Sequence, residues 1–214
     1  MVMKKITGNS KSPGKWLFSQ NIIFTLGVTQ LENLPEESLP EVAFFGRSNV
    51  GKSSLLNSIT NKNKLAYTSK NPGRTRELNF FSISNNSKPL INIVDMPGYG
   101  YAKASKKEID KWTNLSDLYL KSRNNLRRVF LLIDSRRKIM PIDNEVMDVL
   151  DNFAVSYQIV LTKTDKILEV ENQAKLVLKE VEKRKAIFPK ILITSSKNKF
   201  GIDEIREEIA HLLN

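Results

Sequence analysis

Short apolar runs along this chain alternate with longer segments whose apolar residues recur every three or four positions. Val42–Phe45, Arg128–Asp134, Ser156–Leu161 and Ile191–Thr194 are runs of the first kind and predict buried strands. Leu78–Ile83 and Leu90–Val94 flank the polar stretch Ser84–Pro89 and predict a hairpin. Helical spacing predicts helices over Ser54–Ile59, Asp143–Leu150, Leu168–Lys185 and Gly201–Leu213. Another helix is predicted over Lys106–Leu120, where Ile109, Trp112, Leu115, Leu118 and Tyr119 recur near that spacing. Strands alternating with helices imply an α/β fold: a mostly parallel sheet with one antiparallel strand from the hairpin and helices on both faces. No repeat or linker divides the chain. A single domain over residues 21–214 is expected, preceded by a basic, flexible extension over residues 1–20.

Composition narrows the chemistry. The 214 residues include no cysteine, which excludes disulfides, zinc–thiolate sites and thiol nucleophiles. No apolar stretch approaches the roughly 18–20 residues that span a bilayer. Met1–Lys15 lacks the apolar centre of a secretory signal, so a cytoplasmic location is expected. A formal charge of +11 favours a polyanionic partner, either RNA or an acidic membrane surface. Cations crowd one stretch: Lys103, Lys106, Lys107, Lys111, Lys121, Arg123, Arg127, Arg128, Arg136, Arg137 and Lys138, opposed by Glu108, Asp110, Asp117 and Asp134.

The strongest motif follows the first predicted strand. Gly46-Arg47-Ser48-Asn49-Val50-Gly51-Lys52-Ser53 fits G-x-x-x-x-G-K-[ST] between a strand and a helix, the context of a phosphate-binding loop. Its backbone N–H groups and the helix N-terminus can hold a β-phosphate; Lys52 can reach the β- and γ-phosphates, and the Ser53 hydroxyl can ligate Mg²⁺. Asp95-Met96-Pro97-Gly98 ends the strand Ile91–Val94; Asp95 can hold Mg²⁺ through water, and Gly98 can offer its N–H to a γ-phosphate. Thr162-Lys163-Thr164-Asp165 ends another strand. There a carboxylate can accept two hydrogen bonds from guanine, where adenine has no matching donors, and the Lys163 stem can lie along the base. Thr194-Ser195-Ser196 can supply an N–H to guanine O6. Alone, the first of these two reads better as a polar turn with a helix-capping Asp, and the second is also an ordinary turn. Leu65–Glu77 has few apolar anchors and a Pro-Gly turn, so a mobile segment is expected, in which Thr75 rather than Thr68 can close over Mg²⁺.

These motifs stand in the order of the translation-factor-related GTPases. The wording Pro40-Glu41-Val42-Ala43-Phe44, Gly46 to Asn57, Pro72-Gly73-Arg74-Thr75 and Asp95 to Ala102 closely resembles the EngB (YihA/YsxC) family, over about residues 20–212. The resemblance implies a three-layer P-loop GTPase fold. It also implies a cytoplasmic protein that binds GTP and GDP with Mg²⁺, serves large ribosomal subunit assembly and is needed for cell division and septation. Gly46–Ser53, Gly73, Arg74, Thr75, Arg76, Glu77, Asp95–Gly98, Thr162–Asp165 and Thr194–Ser196 form the expected nucleotide-binding set, with Ser53 and Thr75 on the metal. The partners implied are the large subunit or its precursor, through rRNA and ribosomal proteins; a monomer is expected. Asn71 stands where the family often has Thr. Thr162 replaces the usual Asn, and its single hydroxyl should tie less firmly to the phosphate loop.

Tyr99 occupies the position where Ras-like enzymes place a water-orienting Gln, so slow intrinsic hydrolysis is expected. Tyr99 and Tyr101 suit base stacking or packing equally well. Trp112 is expected in the core and His211 on the surface. Asn49 is a turn residue or a K⁺ ligand near the phosphates, and Arg74 a solvated cation or an arginine finger. Two other readings stand beside the GTPase: a P-loop ATPase or kinase, which Asp165 opposes, and an RNA-binding module without nucleotide turnover, which intact Lys52, Ser53 and Asp95 oppose.

Overall fold

The computed structural model of the chain describes residues 12–62, 65, 77–100 and 115–213. Seven strands are named here in chain order: β1 (Asn21–Val28), β2 (Glu41–Gly46), β3 (Leu78–Asn85), β4 (Lys88–Asp95), β5 (Leu126–Asp134), β6 (Tyr157–Thr162) and β7 (Leu192–Ile193). They form one sheet in the order β1-β3-β4-β2-β5-β6-β7. Pairings of β2 with β4 and β5, and of β6 with β5 and β7, are parallel, whereas β3 is antiparallel to both of its neighbours. One reversed strand is what the hairpin predicted. Its turn is two residues, Asn86 and Ser87, both with positive φ, narrower than the expected polar stretch.

Strand periodicity splits the core in two. Val42 and Phe44 of β2, with Phe130 and Leu132 of β5, face α1 (Pro13–Leu17), α2 (Lys52–Ile59) and α6 (Ile202–Ala210). Ala43 and Phe45, with Val129, Leu131 and Ile133, face α3 (residues 115–122), α4 (Pro141–Asn152) and α5 (Val170–Val181). Because both faces are covered, the central strands read as unbroken apolar runs. Of the predicted helix over Lys106–Leu120, Ile109 and Trp112 lie outside the described residues. Leu115 and Tyr119 are buried and Leu118 is exposed.

Two elements correct the sequence reading. The extension expected to be flexible over residues 1–20 is folded in its final part: α1 packs on α6, with Leu17 and Phe18 buried in the core. The Gly14 N–H donates to Glu207 at 3.0 Å, and Gly14 sits so near the backbone of Arg206 and Glu207 that a side chain would collide. Residues 1–11 lie outside the described residues. β1 was not predicted because it is an edge strand with Ile22 and Val28 buried but Ile23 and Phe24 half-exposed, so its apolar residues do not alternate. A bulge between Phe24 and Leu26 interrupts the register, and there the Thr25 hydroxyl donates to the Phe80 carbonyl.

The basic stretch is also broken up by the fold. Arg123 is buried and donates to Glu41 through Nε (3.2 Å) and Nη2, and Tyr119 gives Glu41 a further hydrogen bond at 2.9 Å. Arg128 is buried over the Phe188 ring and donates to Gln158 and Glu208. Both belong to the interior, not to a partner surface. Lys121 and Arg127 are exposed at one end of β5, and Arg136, Arg137 and Lys138 at the other. Lys103, Lys106, Lys107 and Lys111 lie outside the described residues.

Candidate nucleotide site

All the parallel strands run the same way, so the loops at their carboxyl ends meet along one edge. The loop Gly46–Ser53 leaves β2 at the centre of that edge and enters α2. Two left-handed residues shape it, Asn49 (φ 64°) and Gly51 (φ 108°). Gly51 is the N-cap of α2 and supplies no side-chain cap. Among the described residues the N–H groups of Asn49, Gly51, Lys52 and Ser53 meet no hydrogen-bond acceptor, which leaves a concave set of donors suited to an anion.

The segment after β4 closes on the first half of this loop. The Tyr99 N–H donates to the Gly46 carbonyl at 3.2 Å, and the Ser48 N–H to the Tyr99 carbonyl at 2.9 Å. Gly98 lies against Gly46 and Ser48, at a distance where a side chain would crowd their backbone. Lys52 and Asp95, both buried, form an ion pair. Met96 and Val50 are core residues, so only their backbone can face a ligand. Pro97 is buried as well. Tyr99 packs edge-on to Phe45 at 5.0 Å and donates its hydroxyl to Asp143 at 2.8 Å. Burial, with Asp143 beside it, pushes that phenol well above its usual range. Tyr99 is thus a packed residue, not a base-stacking platform; Tyr101 lies outside the described residues.

Thr162–Asp165 and Thr194–Ser196 come together beside Gly51. A cavity of about 410 Å³ is lined by Gly51, Thr162, Lys163, Asp165, Ser196 and Lys197, among others. Thr162 Oγ1 donates to the Val50 carbonyl at 2.7 Å, the tie to the phosphate loop expected of it. Lys163, itself left-handed at φ 58°, donates to the Asn49 carbonyl at 2.7 Å. Thr164 is buried and bonds the Thr194 carbonyl, and Thr194 bonds Leu161, so both set backbone position. The Ser195 hydroxyl donates to Asp165 at 2.7 Å. That hydrogen bond, with Lys166 and Lys197 nearby, holds the Asp165 carboxyl below its usual range.

Gly73, Arg74, Thr75 and Arg76 lie outside the described residues. Glu77 is placed at the same edge, but its carboxylate lies over Gly27 of β1, away from the cavity. Sequence reasoning passed over Asp134. It ends β5 as Asp95 ends β4, and it accepts hydrogen bonds from Lys163 Nζ (2.9 Å) and from Arg136 Nε and Nη2 (2.9 and 2.7 Å). Burial would raise its carboxyl, but these bonds outweigh that and hold it well below the usual range. The signal was available: a carboxylate closing an apolar run at the site edge of the sheet. His211, at the end of α6, is exposed as expected.

The family described as 50S ribosome-binding GTPase matches residues 41–163. A probable GTP-binding protein EngB of Rhodospirillum rubrum is 48% identical over 202 residues, covering 93% of this chain and 87% of that protein. The crystal structure of a probable GTP-binding protein EngB covers 81% of this chain and 98% of its own, with a TM-score of 0.63 at 23% identity. Aquifex aeolicus Era bound to GDP·AlF₄⁻ covers 82% of this chain and 57% of its own, with a TM-score of 0.66 at 25% identity.

Proposed function

The chain belongs to the EngB family of GTP-binding proteins and is a GTPase, and from that premise we propose that it acts as a nucleotide switch in large ribosomal subunit assembly. In this reading it is a cytoplasmic monomer, and the need for it in cell division and septation belongs to the same role. The observation that carries the nucleotide assignment is the cavity in which Asp165, Ser196 and Thr162 meet Gly51 of the phosphate loop. The Asp165 carboxylate would accept guanine N1–H and the 2-amino group, held in position by the Ser195 hydroxyl. The ribosomal partner rests on the family description and on the excess of positive charge.

The donors at the phosphate end suit Mg²⁺, a hard ion that prefers oxygen ligands and completes its shell with phosphate and water. Ser53 and Thr75 would ligate it, and Asp95 would hold it through water. When bound, the ion would supply positive charge against the negative charge that develops on the phosphates. Lys52 is paired with Asp95, so a triphosphate would take over its ammonium and free the carboxylate to turn toward the metal water. With the Tyr99 phenol committed to Asp143, no side chain at that position orients the attacking water. Slow intrinsic turnover, raised by the ribosomal partner, follows.

The test is a fluorescent-nucleotide titration with GTP, GDP, ATP and XTP, on the wild type and Asp165→Asn. Guanine selectivity that relaxes toward xanthine in the variant supports the assignment, and equal binding of ATP overturns it. Co-sedimentation with large subunits in the GTP and GDP states tests the partner. Turnover in K⁺ against Na⁺ tests whether Asn49 helps hold a monovalent cation; equal rates end that reading.

A further inference from the structure

Beside the phosphate loop, sharing Lys163 with the cavity that suits the base, lies a second cleft of about 240 Å³. Its walls are Arg47 to Val50, the end of β5 with the loop after it, and the start of α4. Arg136, Arg137 and Lys138 are consecutive and exposed there, and Arg47 lines the opposite wall. The two carboxylates in the cleft are already engaged. Asp134 is bonded by Arg136 and Lys163, and Asp143 by the Tyr99 hydroxyl and the Met140 N–H. Arg47, Arg137 and Lys138 have no ion-pair partner among the described residues. Of the apolar lining residues, Val50, Leu132 and Ile133 are buried in the core and Met140 is partly exposed, so the surface on offer is mainly cationic and polar.

We propose that this cleft docks the phosphodiester backbone of RNA; the inference rests on the ribosomal reading above and deepens it by naming the surface. Planar guanidinium forks suit phosphate oxygens, and desolvating three unpaired cations against a polyanion releases counterions. An acidic protein is the poorer fit, because the core of a protein interface needs a broad apolar surface and this cleft offers only the partly exposed Met140. The cleft is also linked to the nucleotide. Tyr99 bonds Gly46 and Ser48 through its backbone and Asp143, a wall of the cleft, through its hydroxyl. Movement of the segment after β4 on GTP binding is therefore transmitted to the RNA surface.

Filter binding of the full chain to large-subunit ribosomal RNA transcribed in vitro, across a KCl series, tests this. Arg137→Glu with Lys138→Glu should weaken binding at least tenfold. It should also flatten the salt slope by roughly 1.4–1.8, since each of the two lost phosphate contacts removes about 0.7–0.9. GTP affinity should stay within twofold. Lys121→Glu with Arg127→Glu makes the same change of charge at the far end of β5 and should cost less than threefold. Equal losses in the two pairs would reduce the effect to bulk charge and overturn the cleft. So would an unaffected Arg137/Lys138 pair, or a parallel loss of GTP binding. Wild type that fails to bind the RNA in either nucleotide state overturns the partner reading and the cleft together, whereas wild type that binds beside an unaffected variant overturns the cleft alone. Tyr99→Phe should bring the ratio of RNA affinities in the GTP and GDP states toward one; a ratio unchanged from wild type removes the link.

Discussion

Glu41, Tyr119 and Arg123 show how a charged residue can mislead when read alone. In the sequence Arg123 belongs to a basic stretch; in the fold its guanidinium neutralises a carboxylate with 0% exposure at the start of β2. Arg123→Ala strands that carboxylate, and a loss of about 3–5 kcal/mol in urea-unfolding stability is expected. Adding Glu41→Gln should recover part of it, and a full loss in the double variant would contradict the pairing. Asp134 gives a pH signature. Its folded carboxyl is depressed, so its stabilising effect is present above the unfolded value of about 3.9 and lost as pH falls through the lower folded value. The stability gap between wild type and Asp134→Asn should therefore hold steady from pH 7 to about 5 and shrink in more acidic solution. A gap that widens on acidification would reverse the assignment.

Among the elements, the β3–β4 hairpin carries a residue whose local chemistry is poorly satisfied. Asn86 tolerates a left-handed backbone, but Ser87 at φ 63° does not do so readily. Ser87→Gly relieves about 1–2 kcal/mol of strain and adds about 0.5–1 kcal/mol of chain entropy to the unfolded state. A net gain of roughly 0.5–1 kcal/mol should appear as a higher urea midpoint with an unchanged slope. The elements most legible in the sequence were those covered on both sides, such as β2, β5 and β6, because continuous burial leaves a continuous apolar run. Those that escaped were α1 and β1. Five residues cannot establish a helical period, and an edge strand with an exposed Phe24 has no clean alternation. What fixes α1 is its docking on α6, a contact 193 residues away along the chain.

For the whole molecule, nucleotide binding and stability are one linked equilibrium. At a GDP concentration 100 times the dissociation constant, with Mg²⁺, the folded state gains about 2.7 kcal/mol. For a chain of this size that amounts to a rise of roughly 5–10 °C in the melting temperature. Differential scanning fluorimetry should show it for GDP and GTP but not for ATP. An equal shift with ATP would point to phosphate recognition without base recognition. The charge of +11 likewise acts at this scale, but the fold decides where it is presented. Arg123 and Arg128 are withdrawn into the interior, and among the described residues the exposed cations of the basic stretch stand at opposite ends of β5.

By itself the sequence determined the α/β alternation, the phosphate loop, the turns that carry Asp95 and Asp165, and the family. Each is local in the chain: a period, a spacing or a short run whose chemistry needs no distant partner to be recognised. Tertiary structure alone decided that Asp134 holds Lys163 and that Tyr99 is engaged by Asp143 instead of facing a base. It also decided that Ser195 positions Asp165 and that a second cationic cleft adjoins the first site. These pairs lie 29 to 44 residues apart in sequence. They meet because parallel strands bring their carboxyl ends to one edge, and only sheet order says which loop stands beside which.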